Sequence, residues 1–200
     1  MEEYYFTISR PAEAVYRDKG SRFIAYAFPV QSPENFKKEL ASLKTLHPKA
    51  SHHCFAYRIG PEKDLFRSSD DREPPGTAGK PILGQIDSKQ LTNVAVVVVR
   101  YFGGTLLGVP GLINAYKTAT SMVLQLCPIV RMAVEVNYEL HFNYTHLNDI
   151  MRLVKQRNLT ILSQDLQLFC RMVIGVALHQ ADLIVAELEN LHDVEVRAIT

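Results

Sequence analysis

The chain has 200 residues, of which 47% are hydrophobic and 22% charged, and its formal net charge is +1 at pH 7. This balance excludes a disordered chain, which would carry fewer apolar residues and a larger net charge. The near-zero charge also argues against a protein that binds nucleic acid mainly through charge, because such binding comes largely from neutralised phosphates. It leaves room for a local basic patch.

The cysteines and the apolar runs indicate the compartment. Cys54, Cys127 and Cys170 stand far apart and form no CxxC pair, so neither a disulfide framework nor a zinc ribbon is indicated. The first residues are acidic and lack the apolar segment of a signal peptide. The longest apolar run, Val94–Val99, is far too short to span a membrane. We therefore expect reduced, partly buried thiols in a soluble cytoplasmic protein.

The first part of the chain alternates strand and helix signals. Runs of aromatic and branched residues predict the strands Tyr4–Ser9, Arg22–Val30, His53–Ile59 and Val94–Tyr101. A capping residue, Ser32, followed by Pro33 predicts the start of a helix that Pro48 ends. Apolar residues at helical spacing predict a second helix over Leu112–Leu126. Because four consecutive valines cannot all face one way, the last strand should be central and covered on both faces.

The remainder of the chain predicts a domain of its own. Strand and helix signals follow in the order βαββαβ, the split βαβ pattern of a ferredoxin-like domain. The predicted elements are Val134–Phe142, Tyr144–Arg157, Leu159–Leu162, Leu168–Leu178, Ala181–His192 and Val194–Ile199. We predict an α+β protein of two domains, residues 1–130 and residues 134–200, with a boundary near Pro128–Ala133.

The segment Ser68–Pro81 is the first candidate for chemistry. Three carboxylates, those of Asp70, Asp71 and Glu73, lie within four residues, and two prolines stiffen the chain after them. Carboxylates on a rigid loop could hold a hard cation or act as acid and base, and amides at the next helix start could hold an anion. A polar loop in which Thr77 caps that helix explains the same residues equally well.

The segment Arg100–Gly111 is the second candidate. A buried strand enters a glycine-rich turn and then a helix, which exposes backbone amides where anions bind. It matches neither GxxxxGK[ST] nor GxGxxG, and its glycines equally suit a left-handed turn with close helix packing. Two roles of Arg100 stay open. In one, Arg100 bonds the segment Ser68–Pro81, called the acidic loop below, which would bring Asp71, Glu73 and Thr77 close to it. In the other, Arg100 faces solvent and binds a phosphate.

The segment Ser51–Cys54 is the third candidate. On a strand, His52 and Cys54 face one side and His53 the other. A single His–Cys pair cannot complete a zinc site, which needs four ligands. A hydrogen-bonded structural histidine is therefore the favoured interpretation. The sequence has no GxSxG motif, and no spacing in it supports a catalytic triad.

Three motifs in this order resemble the IMPACT family. They are SHHCFAYRIG at Ser51–Gly60, DDREPPGTAGKPIL at Asp70–Leu83 and VVVVRYFGGTLLG at Val96–Gly108, with GLINAY following at Gly111–Tyr116. The resemblance covers the whole chain, because bacterial members also carry a small C-terminal βαββαβ domain similar to the last domain of elongation factor G. It implies an N-terminal fold shared with ribosomal and elongation-factor domains, and cytoplasmic proteins without an assigned catalytic activity. Eukaryotic relatives regulate translation initiation and bind partners through a different extra domain.

The chain departs from the pattern of that family at Arg72, Pro75, Leu106, Pro110 and Asn114. Leu106 and Asn114 stand where the resemblance implies a lysine and an arginine, so two cations are lost near the glycine-rich turn. This loss puts phosphate or RNA binding there in doubt. Compensation requires a fold that brings together Arg72, Lys80, Arg100 and Lys117.

We interpret the chain as a non-enzymatic IMPACT-family protein that contacts the translation apparatus. The expected partners are the ribosome, RNA or a translation-associated protein, and no cofactor or metal is expected. The sequence shows no DNA-specific signal and does not define the oligomeric state. The expected binding surface consists of His52, Asp70, Asp71, Glu73, Thr77, Gly79, Lys80, Arg100, Tyr101, Gly103, Gly104, Gly108 and Gly111.

Two alternative functions stay open. One is an enzyme, such as a metal-dependent hydrolase, built on His52 and the acidic loop, and the other is a protein–protein interaction module that uses the C-terminal sheet. A concave pocket in which these groups converge would favour the enzyme. A flat basic face would favour RNA, and an exposed apolar patch would favour a protein partner.

Overall fold

The computed structural model of the protein describes residues 2–199. Contacts divide these residues into two compact units, residues 2–132 and residues 133–199. The described residues form eleven strands and five α-helices, which confirms the predicted α+β class. Within residues 2–199, none of the helices is both long enough and apolar enough to cross a membrane.

The first unit contains a large and a small sheet with three helices. Its strands are β1 (Tyr4–Ile8), β2 (Ala12–Asp18), β3 (Ser21–Pro29), β4 (His52–Ile59), β5 (Leu65–Ser69), β6 (Val94–Tyr101) and β7 (Ile129–Ala133), the last ending at the border of the unit. Its helices are α1 (Pro33–Leu46), α2 (Gly79–Ser88) and α3 (Gly108–Leu126). The small sheet pairs β1 with β7, and the large one has the antiparallel order β2-β3-β6-β4-β5.

Strand β6 lies at the centre of the large sheet and is buried on both faces. Val96 and Val98 belong to the core formed with α2 and α3, whereas Val97 and Val99 belong to the core formed with α1. The predicted central strand is therefore confirmed. Helix α1 also begins as predicted, because the Ser32 hydroxyl accepts the N–H of Asn35 at 3.2 Å.

Three strands of the first unit, β2, β5 and β7, lie outside the predicted elements. β2 and β5 are the two edges of the large sheet, and their residues are mostly exposed or half-buried, so they lack the apolar run of a central strand. β7 occupies the segment predicted as the domain boundary and pairs with β1 instead. Helix α3 begins at Gly108, four residues before the predicted start at Leu112.

The second unit has the predicted element order. Its elements are β8 (Glu135–Asn143), α4 (Leu147–Arg157), β9 (Thr160–Asp165), β10 (Phe169–Ala177), α5 (Ala181–Glu189) and β11 (Val194–Ile199). The antiparallel sheet has the order β11-β8-β10-β9, which is that of a ferredoxin-like domain. Both helices pack on this sheet in one apolar core that includes Leu140, Ile150, Met172 and Ile184.

Candidate functional site

The register of the large sheet places His52 of β4 directly opposite Arg100 of β6. Because side chains alternate along a strand, His52, Cys54 and Arg100 share the face that also carries Val98. This is the face covered by α2 and α3. The sheet therefore presents a histidine, a thiol and a guanidinium towards one end of α3.

Arg100 and Glu73 form a buried ion pair on that face. Nη1 of Arg100 donates to Oε1 of Glu73 at 2.6 Å, and the two side chains are only 6% and 3% exposed. The hydroxyl of Tyr116, from α3, donates to the same carboxylate oxygen at 2.8 Å. Nη2 of Arg100 lies 3.4 Å from Oγ of Ser21. Arg100 thus bonds the acidic loop, and the alternative of a solvent-facing arginine is wrong.

Tyr116 and Cys54 extend the hydrogen-bond network of this ion pair. The thiol of Cys54 lies 3.2 Å from the Tyr116 hydroxyl and 3.0 Å from the carbonyl oxygen of Asp70. Burial is the main cause that raises the pKa of the Cys54 thiol and the pKa of the Tyr116 hydroxyl. Both groups therefore stay protonated at neutral pH, where a thiolate or phenolate nucleophile would need the opposite shift. Their geometry holds Glu73 in place.

Asp70 caps helix α2. Burial opposes ionisation of its carboxyl group, but three backbone hydrogen bonds outweigh this and lower the pKa of Asp70. The three donors, at 2.8, 3.0 and 2.8 Å, are the N–H groups of Gly76, Ala78 and Gly79. The predicted cap, Thr77, is wrong, because its hydroxyl donates to the carbonyl oxygen of Pro74 at 2.7 Å. The sequence pattern favours a cap from a residue next to the start of α2, whereas in the structure the capping carboxylate is that of Asp70, earlier in the loop.

Asp71 ties the same loop to β4. Its carboxylate accepts the backbone N–H of His53 at 2.6 Å, and its carbonyl oxygen lies 2.8 Å from Nδ1 of His52. A carbonyl oxygen only accepts, so Nδ1 of His52 carries the proton of this bond. Nε2 of His52 then lies 3.7 Å from Oε1 of Glu73. The favoured interpretation of His52 as a hydrogen-bonded histidine agrees with this geometry.

A cavity of about 540 Å³ opens above these groups. Its lining includes the charged or polar side chains of His52, Arg72, Glu73 and Arg100. The rest is mainly apolar and comes from the turn after β6 and the start of α3, apart from Ser51 before β4 and Pro74. Three of these residues, Phe102, Leu106 and Val109, are 49%, 82% and 52% exposed and are called the pocket mouth below.

Four residues of the expected binding surface line this pocket, namely His52, Glu73, Arg100 and Gly108. Tyr101 faces the other side of the sheet, where its hydroxyl lies 2.9 Å from Nδ1 of His47. The residues outside the lining are Asp70, Asp71, Thr77, Gly79, Lys80, Gly103, Gly104 and Gly111. The sequence analysis named four cations that could compensate for those lost at Leu106 and Asn114. Of these, Arg72 and Arg100 line the pocket, whereas Lys80 and Lys117 do not.

The sequence analysis missed Tyr116, Ser21 and the pocket mouth. The sequence does contain a signal for Tyr116. It lies on the buried face of α3 with Ala115 and Ala119, and a buried hydroxyl needs a hydrogen-bond partner, so a polar contact there could have been predicted. In the part of the chain that the structure describes, no group of three or more His, Cys, Asp or Glu side chains is placed to hold a metal ion.

Comparison with known proteins places the chain in a family. Residues 19–124 match the family described as the Impact N-terminal domain. The IMPACT family member YigZ of Escherichia coli is 35% identical over 181 residues, which are 90% of this chain and 88% of YigZ. A crystal structure described as that of a hypothetical protein is 31% identical, with a TM-score of 0.83 over 100% of this chain and 99% of its own. Yih1, described as a two-domain translational regulator, is 32% identical, with a TM-score of 0.37 over 61% of this chain and 47% of its own. The chain belongs to the IMPACT family.

Proposed function

We propose that this chain is a non-enzymatic cytoplasmic protein that contacts the translation apparatus by holding a partner protein at the pocket mouth. The observation that carries the proposal is the contrast between the mouth and the floor of the pocket. Phe102, Leu106 and Val109 are exposed apolar side chains, whereas Arg100 and Glu73 beneath them are paired with each other. Clustered exposed apolar residues are typical of protein interaction sites.

Catalysis by the acidic loop is disfavoured because its carboxylates are already engaged. Asp70 accepts three backbone N–H groups, Asp71 accepts the N–H of His53, and Glu73 accepts from Arg100 and Tyr116. A general acid or base must reach the reacting group of a substrate. These carboxylates instead build and fix the wall of the pocket.

A protein partner is favoured over RNA by the composition of the pocket mouth. Leu106 stands at its most exposed position, where the family resemblance implies a lysine. RNA binding would gain little from such a residue, since its affinity comes from cations and stacked aromatic groups. The place of the partner in translation rests on the family resemblance, which implies relatives that regulate translation initiation.

The proposal is tested by sedimentation of a native lysate through a sucrose gradient after adding the tagged chain. We expect the chain to co-sediment with ribosomal or translation-factor fractions and to do so after nuclease treatment of linker RNA. Leu106→Glu should abolish most of this association, because a charge would have to be buried at the contact. Leu46→Glu is the matched control, since Leu46 is 64% exposed at the end of α1 and outside the pocket lining.

Three outcomes would contradict the proposal. Equal co-sedimentation of the Leu106→Glu variant and the wild type would show that the pocket mouth is not the contact. Migration of the wild type only in the fractions of free protein would exclude a stable contact with the translation apparatus. Loss of association on mild nuclease treatment would favour RNA in place of a protein partner.

A second candidate function is catalysis in the same pocket. The observation that favours it is the convergence of Nε2 of His52 and Oε1 of Glu73, 3.7 Å apart, in a concave site beside Arg100. A thermal-shift screen against a panel of small metabolites tests it. A ligand that raises the Tm of the wild type but not of His52→Asn, and that is chemically changed on incubation, would support this function. A panel without such a ligand would leave binding as the function of the pocket.

A further inference from the structure

We propose that the pocket beside Arg100 receives the C-terminal residue of a partner protein, with an apolar side chain and a free carboxylate. This inference rests on the proposed function, because it names the part of the partner that enters the pocket. The carboxylate would lie at the N-terminus of α3 and near Arg100, and the apolar side chain would lie against the wall formed by Leu107 and Leu112.

Helix α3 presents an uncapped N-terminus to the pocket. It spans Gly108–Leu126, has no side-chain cap and carries no acidic residue in its first turn. Leu107, Gly108 and Val109 all line the cavity. Leu107, at φ −86° and ψ −23°, precedes Gly108 at φ +72°, a right-handed then left-handed sequence that turns successive N–H groups towards one side. Such a concavity at the positive end of a helix dipole suits an anion.

Arg100 supplies an independent reason to expect an anion. It is 5% exposed and lines the cavity. Nη1 is bonded to Glu73 at 2.6 Å, but Nη2 has only a 3.4 Å contact with Ser21, and Nε has no hydrogen-bond partner among the described residues. A buried guanidinium with unfilled donors is costly, and a carboxylate is the group that best fills them.

The charges around the cavity favour a carboxylate over an ammonium group. Glu73 is negative, but its Oε1 already accepts from both Arg100 and Tyr116. Arg72 adds a positive charge at the rim. The guanidinium groups of Arg72 and Arg100 are thus offset by the carboxylates of Asp71, 3.9 Å from Arg72, and of Glu73, and the positive end of α3 is the charge left for an added carboxylate to balance.

The size and the walls of the cavity favour a chain end. About 540 Å³ is within the range of cavities that hold small ligands and is too little for a folded segment. An internal segment would have to leave the pocket on both sides, whereas a C-terminus enters once and brings its own carboxylate. A phosphate, with more charge and no apolar part, fits these walls poorly, and Leu106 at the pocket mouth supplies no cation for it.

The test is an NMR titration of the full chain with N-acetyl-leucine, using N-acetyl-leucine amide as the uncharged match. We expect saturable shifts of the backbone N–H signals of Leu107, Gly108 and Val109. We expect the amide to bind at least about tenfold more weakly, since it lacks the charge that Arg100 and α3 would hold. Inorganic phosphate should also bind more weakly than N-acetyl-leucine.

Variants of the pocket separate its contributions. Arg100→Lys keeps the charge but loses the fork of donors, and should weaken N-acetyl-leucine at least about tenfold. If that variant does not fold, Gly108→Ala serves, because its added methyl group meets nothing closer than Cδ of Pro110 at 3.9 Å while its φ of +72° disfavours alanine. This variant should also weaken binding, whereas Leu46→Glu should leave it unchanged.

Three results would overturn the inference: equal binding of the acid and the amide, tighter binding of phosphate, or shifts away from the start of α3. These results are distinct from failure of the proposed function. If N-acetyl-leucine does not bind while Leu106→Glu still abolishes co-sedimentation, the proposed function stands and the C-terminal carboxylate is excluded. If N-acetyl-leucine binds and no co-sedimentation occurs, the pocket is a carboxylate site outside the translation apparatus.

Discussion

The guanidinium of Arg100 donates to the carboxylate of Glu73 at 2.6 Å, and both side chains are almost wholly buried. The two residues are 27 positions apart, so their contact closes the acidic loop over the end of β6. Because neither charge is solvated, each depends on the other for its compensation. The pair therefore fixes both the loop and the floor of the pocket.

Removing one partner of this pair should destabilise the fold strongly. We expect Glu73→Ala to lower the free energy of unfolding by about 3–5 kcal/mol, because it leaves a buried guanidinium unpaired. Tyr116→Phe is the matched control in the same network. It removes a neutral hydroxyl and keeps the ion pair, so it should cost about 1 kcal/mol. Urea unfolding followed by circular dichroism measures both, and equal losses would contradict the dominance of the ion pair.

Gly103 should tolerate no side chain. A Cβ atom added there would lie 1.9 Å from the carbonyl carbon of Gly20 and 2.2 Å from the nitrogen of Ser21, both of them backbone atoms. We expect Gly103→Ala to lower the free energy of unfolding by about 3 kcal/mol or more, since the turn after β6 must move. Gly84→Ala is the control within α2, where a Cβ meets nothing within 4 Å, and it should raise stability by about 0.5–1 kcal/mol. A small loss for Gly103→Ala would show that this turn is loosely packed.

The parts of the fold that sequence reasoning identified are those with local signals. The valines of β6 and the alternation of apolar residues in the second unit predict their own elements, because burial on one or both faces shapes the residue pattern. The edge strand β5 is almost wholly exposed and carries no such pattern. The site depends on pairing across the sheet, since His52 meets Arg100 only through the register of β4 and β6. No local sequence pattern fixes that register.

Replacing Arg72 by glycine should stabilise the fold. Its φ is +71°, a left-handed conformation that costs an arginine more than a glycine. We expect Arg72→Gly to raise the free energy of unfolding by about 0.5–1 kcal/mol, despite the loss of an exposed 3.2 Å hydrogen bond to the carbonyl oxygen of Ser51. Arg72→Ala loses the same bond and keeps the strain, so it should give no gain. Identical urea midpoints for the two variants would contradict this explanation.

Two neutral histidines, the half-buried His47 and the buried His53, should weaken the fold as the pH falls. His47 lies between two tyrosine hydroxyls, with Nε2 2.8 Å from Tyr26 and Nδ1 2.9 Å from Tyr101. Burial lowers the pKa of His47 and the pKa of His53 from the usual 6.5. The unfolded chain then binds protons that the folded chain does not, so stability is complete above about pH 6.5 and declines as the pH drops towards the folded pKa values.

Urea unfolding at several pH values measures this decline. We expect the midpoint to fall between about pH 7 and about pH 5, and His53→Asn to make the fall shallower because one of the two shifted groups is gone. The comparison of slopes is independent of any loss that the substitution causes at about pH 8, where both histidines are neutral. Parallel curves for the variant and the wild type would show that His53 does not contribute.

The second unit should fold without the first. Its sheet order, β11-β8-β10-β9, and its apolar core use residues of that unit alone. We expect the fragment 133–200 to give a dispersed ¹H–¹⁵N NMR spectrum and a cooperative thermal transition, since about 65 residues with a single core can fold independently. The fragment 145–200 is the control. It lacks β8, which pairs with both β10 and β11, so it should leave these strands without their shared neighbour and remain unfolded. A collapsed spectrum for fragment 133–200 would show that the two units are not separate domains, and limited proteolysis of the full chain should then fail to release a stable C-terminal piece.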